Sequence, residues 1–141
     1  MNSPEFASKI ASSLTDNGVE TQIVTRDQKT GKQTIEHHTA SDTLTNYESG
    51  SVHTNLGAGA NVKLTLPQDA YAGVQFQFAV MTAAQQLQVD PGAAGAIIIN
   101  GAVQADDAYI WADDENESVE LVADGNGDWI AIGTVGVWTV V

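Results

Sequence analysis

The stretch Val-Gln-Phe-Gln-Phe-Ala-Val at residues 74–80 decides the fold class, because it places Val74, Phe76, Phe78 and Val80 at every second position. Successive side chains of a β-strand point to opposite faces, so this period of two predicts a strand with one buried and one solvated face. Residues 61–66, Asn-Val-Lys-Leu-Thr-Leu, repeat the same alternation. The sequence therefore predicts β-strands that are apolar on one face and pack that face into a core.

Turn residues divide residues 51–141 into a series of short predicted strands. Asn100-Gly101 and Asp124-Gly125-Asn126-Gly127 are strong hairpin signals, since Gly accepts the positive φ angle of a tight turn without steric cost. The predicted strands are residues 51–56, 61–66, 74–81, 86–90, 96–100, 108–112, 117–123, 128–133 and 136–141. This spacing predicts an all-β fold, with an antiparallel β-sandwich or a jelly-roll-like domain over residues 51–141.

Residues 1–50 are predicted to form an N-terminal arm outside that domain. Ser3-Pro4-Glu5 is typical of a helix start and Asn17-Gly18 of a helix end, so we predict a short helix over residues 3–16. Its apolar stripe consists of Phe6, Ile10 and Leu14, which recur every four residues. A helix this short is barely stable alone in water, so the stripe is expected to dock on a partner surface.

The second part of the arm is predicted to be a β-hairpin over residues 19–39, followed by a linker over residues 40–50. The two ends of the hairpin segment are rich in Val, Ile and Thr, and the polar turn between them contains Gly31. Residues 40–50 carry no periodicity, which favours a linker. A lone two-stranded hairpin also needs a partner surface, because it is not stable by itself.

The chain of 141 residues has a formal net charge of −13, and its charges are distributed unevenly. All five cationic side chains lie at or before position 63, and they are Lys9, Arg26, Lys29, Lys32 and Lys63. Nucleic-acid affinity depends largely on Lys and Arg contacts with phosphate, so the acidic residues 64–141 are not expected to bind DNA or RNA.

The composition also excludes several classes of chemistry and location. Cys is absent, so the chain has no disulfide, no thiolate metal site and no thiol nucleophile. No apolar run approaches the roughly 20 residues that span a bilayer. Residues 1–10 lack a basic region followed by an apolar core, so no signal peptide is predicted. We expect a soluble protein that is made in the cytoplasm and binds no membrane.

Acidic residues flank the predicted strand at residues 108–112, and they are Asp106, Asp107, Asp113, Asp114, Glu115 and Glu117. Paired carboxylates perform acid–base catalysis when they face each other across a cleft, as in glycosidases. Carboxylates bunched in loops are more typical of a solvated or partner-facing rim, and no nearby Lys or Arg separates their pKa values. We therefore expect no catalytic residue here, with weak cation binding as an alternative.

Residues 124–128, Asp-Gly-Asn-Gly-Asp, begin like an EF-hand calcium loop. The rest of the pattern fails, because Trp129 stands where that loop needs Gly and Val135 stands where it needs Glu. We predict that the segment is the tip of a hairpin that joins residues 117–123 to residues 128–133.

The three histidines are His37, His38 and His53. Adjacent side chains on a strand point to opposite faces, so His37 and His38 do not form one chelate. A metal site built from His53 and one of the pair is an alternative that no ligand spacing supports. We expect ordinary strand or surface histidines, no metal ligand and no cofactor.

Large aromatic residues are concentrated in the C-terminal half. Trp129 and Trp138 lie in predicted strand pairs bounded by Gly, and we expect both in the core. Trp111 is ambiguous, since Ile110 competes with it for the inward side of the same strand. An outward Trp111, near Tyr109, would offer a platform on which a sugar ring could stack.

Several motifs of the C-terminal part together resemble a β-domain of tailed-bacteriophage virion proteins. They are Leu-Thr-Leu-Pro (64–67), Gly-Val-Gln-Phe-Gln-Phe (73–78), Leu-Gln-Val-Asp-Pro (87–91), residues 97–101, Val-Glu-Leu-Val-Ala-Asp-Gly (119–125), Trp129-Ile-Ala-Ile-Gly and Gly136-Val-Trp. Over residues 60–141 the chain is similar to capsid decoration (cement) proteins and to modules of tail fibres. The resemblance implies a non-enzymatic structural protein that binds the major capsid protein on the outer capsid surface and self-associates as a homotrimer.

Within that interpretation the arm is expected to form the partner interface. Its candidate contact residues are Phe6, Ile10, Leu14, Arg26, Lys29 and Lys32, which combine the apolar stripe with most of the cations. The acidic remainder is expected to face away from packaged DNA. One alternative is a receptor- or glycan-binding module of a tail fibre or spike, and another is a glycan hydrolase or lyase that uses the acids of residues 106–117.

Overall fold

A computed structural model of the chain describes residues 32–141, which form twelve strands and one short 3-10 helix, Asn46–Glu48. The strands are β1 (Ile35–His37), β2 (Asp42–Thr43), β3 (Val52–Thr54), β4 (Val62–Thr65), β5 (Gln75–Ala79), β6 (Leu87–Asp90), β7 (Ile97–Ile99), β8 (Ala102–Val103), β9 (Ile110–Ala112), β10 (Ser118–Ala123), β11 (Trp129–Val135) and β12 (Thr139–Val140). The prediction of an all-β fold is confirmed for these residues.

The strands form two sheets. The seven-stranded sheet has the order β1-β3-β5-β10-β11-β7-β8, and the five-stranded sheet has the order β12-β9-β6-β4-β2. Buried side chains of both sheets meet in one hydrophobic core, where the ring centroids of Phe76 and Trp129 are 5.8 Å apart. The two stretches with alternating residues contribute as predicted, since Val62, Leu64 and Leu66 are buried together with Phe76 and Phe78.

The predicted antiparallel or jelly-roll-like arrangement is wrong in strand direction, because five of the ten strand pairings are parallel. Strands β1 to β6 alternate between the two sheets along the chain. Each sheet therefore receives every second strand, after a crossover through the other sheet. A crossover brings the chain back in its original direction, whereas a tight hairpin reverses it.

The predicted linker over residues 40–50 is wrong, because this segment belongs to the folded body. It contains part of the five-stranded sheet, where β2 pairs with β4, and it buries Leu44 in the core. The Leu44 N–H donates a hydrogen bond of 2.8 Å to the carbonyl oxygen of Thr65. A single apolar residue has no periodicity, so the sequence pattern could not reveal this contact.

Of the predicted hairpin over residues 19–39, the structure describes residues 32–39. There β1 forms within the predicted second strand, but its partner is β3, to which it runs parallel. Residues 32–50 thus add strands to both sheets, and the predicted boundary between residues 50 and 51 does not separate an arm from this body. The predicted helix over residues 3–16 and the first strand of the hairpin lie outside the described residues.

Two turn signals are confirmed. Asn100-Gly101 joins β7 to β8, a strand that the sequence analysis missed, and both turn residues have positive φ angles of 58° and 78°. Residues 124–128 join β10 to the antiparallel β11. Within that turn the Asp124 carboxylate accepts backbone hydrogen bonds from Asn126 at 2.7 Å and Asp128 at 3.1 Å.

Candidate functional site

Of the six predicted partner-interface residues, Lys32 is the one that lies within the described part of the chain. Lys32 is exposed, three residues before β1 at one edge of the seven-stranded sheet. The other five, Phe6, Ile10, Leu14, Arg26 and Lys29, lie outside the described residues. Within residues 32–141 we consider three candidate sites, namely the outer faces of the two sheets and a cluster of polar side chains around two buried histidines.

An uncharged row of side chains crosses the outer face of the seven-stranded sheet. We call Val103, Ile98, Ile130 and Val122 the apolar row, because the strand register pairs each with the next across β8, β7, β11 and β10. Val103 is 63% exposed and Ile130 is 37% exposed. Directly paired residues have neighbouring side chains on the same face, so the row forms one continuous apolar strip.

Further apolar side chains of β11 are exposed beyond the row, although the outward-facing pair Glu120 and Gly133 lies between Ile130 and Val135. Ile132 and Val135 are 58% and 60% exposed, and the register of β11 against β10 shifts between Glu120 and Leu121. Such a shift is typical of a β-bulge, which adds a residue to one strand and turns its side chain away from the regular alternation. Sequence reasoning missed this surface, because the pattern of β11 alone does not show which of its side chains face solvent.

The outer face of the five-stranded sheet has a different character. We call Tyr109, Trp111, Gln88, Lys63 and Asp90 the aromatic face. Trp111 pairs with Gln88, which in turn pairs with Lys63. The Lys63 ammonium lies 4.1 Å from the centroid of the Tyr109 ring and 3.3 Å from a carboxylate oxygen of Asp90. The face therefore presents partly buried aromatic rings beside fixed hydrogen-bonding groups.

The strand alternation resolves the position of the tryptophans. Ile110 and Ala112 are buried while Trp111 is only partly buried, so Ile110 occupies the inward side and Trp111 the outward side of β9. Trp129 and Trp138 are buried, which confirms their predicted place in the core. The Trp138 ring N–H donates a hydrogen bond of 3.0 Å to the carbonyl oxygen of Ser118.

A cluster of polar side chains joins β1 to β3; its two histidines are buried and its glutamate is exposed. Glu36 and His53 are direct partners in the parallel pairing, and His38 follows one position after the end of β1. His38 Nε2 lies 2.9 Å from His53 Nδ1. A carboxylate oxygen of Glu36 lies 3.7 Å from each of these two nitrogens. His53 Nε2 lies 2.7 Å from the Ser51 hydroxyl oxygen.

The hydrogen bonds of this cluster run in one direction. The Ser51 hydroxyl donates its single proton to the carbonyl oxygen of Glu48 at 2.5 Å, so its oxygen accepts from Nε2–H of His53. Neutral His53 then carries no proton on Nδ1, which accepts from Nε2–H of His38. Burial, followed by the proximity of His38, lowers the pKa of His53 from 6.5 to about 4, while Asp42 opposes this shift.

His37 and His53 lie in strands, as expected, but the burial of His38 and His53 was not predicted from the sequence. His53 is completely buried and His38 is 5% exposed, whereas His37 is exposed and its Nδ1 lies 2.6 Å from the Thr54 hydroxyl. The prediction that the side chains of His37 and His38 point to opposite sides is thereby confirmed. A sequence signal for the cluster exists, because polar residues two positions apart on a strand share one face. Glu36 and His38 form one such pair, and Ser51 and His53 form the other.

The acidic segment before β10 is built around a buried carboxylate. Glu117 accepts backbone hydrogen bonds from Asp114 at 3.1 Å and from Val137 at 2.6 Å. The expectation that all the acids of this segment form a solvated rim is wrong for Glu117, which is 9% exposed. Its oxygens fix two turns, so the proximity of Asp113 and Asp114 has a structural explanation that requires no catalysis.

No family model matches the chain, and no curated protein matches it. Among the helices of residues 32–141, none has the length and apolar character that crossing a membrane requires.

Proposed function

We propose that this chain is a non-enzymatic structural virion protein of a tailed bacteriophage, of the capsid decoration (cement) class. The structural observation that carries the proposal is the apolar row on the outer face of the seven-stranded sheet. The second support is the resemblance of residues 60–141 to decoration proteins. Two sheets around a single core are compatible with the β-sandwich that this resemblance implies.

Charge makes the apolar row the preferred contact surface. A chain with a net charge of −13 repels its own copies, and the five Lys and Arg residues all lie at or before position 63. A contact between acidic surfaces is therefore favourable only where charge is absent. The row offers four aliphatic side chains on neighbouring strands, and each Å² of apolar surface that they bury contributes about 25 cal/mol.

In this proposal the row mediates self-association, as a homotrimer, and each copy binds the major capsid protein on the outer capsid surface. A stable contact buries about 1,600 Å² in total, so the row is the centre of an interface and its polar surroundings form the rim. Repeated contacts over a capsid add their effects through multivalency. The protein would thus oppose the outward pressure of packaged DNA without performing any reaction.

A charge placed in the apolar row tests the proposal. The substitution Val103→Glu should convert the oligomer to monomer in light scattering coupled to size-exclusion chromatography, and should reduce co-sedimentation with intact heads. The matched control is Thr139→Glu, which adds the same charge on the five-stranded sheet at an exposed position paired with Trp111. Unchanged mass and occupancy for Val103→Glu would refute the role of the row.

A second function, recognition of host glycans by a tail-fibre or spike module, is favoured by the aromatic face. An aromatic ring presents an apolar surface against which a sugar ring can stack, and neighbouring polar groups then bind its hydroxyls. Trp111, Tyr109, Gln88 and Asp90 supply both elements on one sheet face. The two functions use opposite sheets, so single substitutions distinguish them.

A further inference from the structure

We propose that Glu36, His38 and His53 form a binding site for a divalent transition-metal ion, with zinc the best chemical fit. This site is independent of the decoration function, because it uses neither the apolar row nor the aromatic face. Two imidazole nitrogens and one carboxylate oxygen are a typical three-ligand set for zinc, in which a water molecule completes the fourth position.

The distances among the three ligand atoms suit a tetrahedral ion. Metal–ligand bonds of about 2.0–2.2 Å at tetrahedral angles place the ligand atoms about 3.4 Å apart. The nitrogens of His38 and His53 are 2.9 Å apart, and the Glu36 oxygen is 3.7 Å from each nitrogen. An ion therefore requires the histidines to separate by about half an ångström and the carboxylate to approach by less.

The hydrogen-bond pattern presents the correct atom of His53. Its Nε2–H is held by the Ser51 hydroxyl, which is itself fixed by the carbonyl oxygen of Glu48. Nδ1 consequently carries the lone pair that a metal needs. A ligating histidine commonly donates its second ring N–H to such a fixed acceptor, because this sets the tautomer and the orientation of the ring.

His38 is also held in place. Its backbone N–H donates a hydrogen bond of 2.8 Å to the carbonyl oxygen of Thr54, the residue after His53. In the absence of metal, its Nε2–H donates to His53 Nδ1. Metal binding moves this proton to the other ring nitrogen or to solvent, so that both facing nitrogens present lone pairs.

Charge and access both favour a cation. Glu36 supplies a negatively charged carboxylate 3.7 Å from both facing imidazole nitrogens. The Glu36 side chain is 46% exposed while those of the two histidines are buried, so an ion reaches the site from the Glu36 side. Once bound, the ion would link β1 to β3 and stabilise the folded state.

The acidic group formed by Asp113, Asp114 and Glu117 is a useful contrast, because its ligand atoms are also close together. There the two oxygens of Glu117 already accept hydrogen bonds from the backbone of Asp114 and Val137. Those hydrogen bonds account for the burial and position of Glu117 without a metal, so this group carries no proposal.

Cobalt(II) titration of the full chain, purified with a chelator and then dialysed, tests the site. The visible absorption of tetrahedral cobalt should saturate at one equivalent and disappear when zinc is added. The same zinc should raise the melting temperature of the protein. No saturable cobalt absorption up to millimolar concentration, together with an unchanged melting temperature, would overturn the proposal.

Two ligand variants and one control identify the ligands. Glu36→Gln, at an exposed side chain, and His38→Gln should each weaken binding by about tenfold or more, as expected for lost metal contacts. His37→Gln changes the adjacent exposed histidine, so its affinity should equal that of the parent protein. Equal losses in His37→Gln and His38→Gln would contradict the assignment. Circular dichroism verifies that each variant is folded.

Discussion

The buried carboxylate of Glu117 accepts a hydrogen bond of 2.6 Å from the backbone N–H of Val137, twenty residues along the chain. This contact ties the turn before β10 to the turn after β11. Gly136 makes it possible, because a Cβ atom there would lie 2.4 Å from Cγ of Glu117 and its φ angle is +81°. The same carboxylate also holds the backbone of Asp114, so it fixes the path of the C-terminal residues toward β12.

Glu117→Gln should destabilise the fold, since an amide offers one acceptor oxygen where the carboxylate uses two. The amide nitrogen would also face a backbone N–H. We expect a loss of about 2 kcal/mol in the free energy of unfolding, measured by urea denaturation. Glu115→Gln, at an exposed position in the same turn, is the matched control and should leave stability nearly unchanged. Equal stability of the two variants would contradict the structural role of Glu117.

Stability should decrease between about pH 7.5 and pH 5 because of His53. Its pKa is about 4 in the folded protein, below the ordinary value of 6.5 that applies to the unfolded chain. Within that interval the unfolded chain binds a proton that the folded protein does not, so acid favours unfolding. The stabilising contribution is present above pH 6.5 and falls by about 2 kcal/mol on reaching pH 5.

The pH effect is measured as the urea midpoint in buffers that contain a chelator, so that no metal contributes. His53→Gln removes the titrating group, and its stability should change less over the same interval. His37→Gln is the control, because it changes the adjacent exposed histidine and leaves His53 in place, so the pH dependence attributed to His53 should persist. A parent protein and a His53→Gln variant with identical slopes would show that His53 is not the cause.

Trp129 faces the core from the seven-stranded sheet, whereas Trp111 lies on the outer face of the five-stranded sheet, so the two should respond differently to substitution by Ala. Trp129 is buried against Phe76, so Trp129→Ala should cost about 3–5 kcal/mol of folding free energy. Trp111 is partly buried on the outer face, so Trp111→Ala should cost clearly less in the same urea experiment.

A glycan array tests the second candidate function with the same variant. If the aromatic face binds sugars, the parent protein binds specific glycans and Trp111→Ala loses them while remaining folded. Val103→Glu should retain that binding, since it lies on the other sheet. Absence of glycan binding by the parent protein would remove this candidate.

Deletion of residues 1–31 tests the predicted role of the arm. It removes none of the strands β1 to β12, so we expect the β-structure to persist in circular dichroism. It also removes Phe6, Ile10, Leu14, Arg26 and Lys29, so attachment to the capsid should be lost. A truncated protein that still decorates shells would contradict the assignment of these residues to the interface. Deletion through residue 40 is a poorer test, because it also removes β1 and His38.

The alternation of apolar and polar residues determined which side chains enter the core. Val62, Leu64, Phe76 and Phe78 were identified correctly because a strand exposes its two faces in strict turn, whatever its neighbours are. Turn chemistry was equally local, since Gly101 and Gly125 adopt the positive φ angles that their dipeptides indicate. These features depend on residues close together in the chain.

Only the tertiary structure decided which strands became neighbours. The same alternation fits a parallel or an antiparallel partner, so the crossovers that make β1 run parallel to β3 left no mark in the local pattern. That pairing brings Glu36 beside His53, and the β10–β12 path brings Glu117 beside Val137. Sites assembled from distant residues depend on chain topology, and local sequence periodicity carries no information about it.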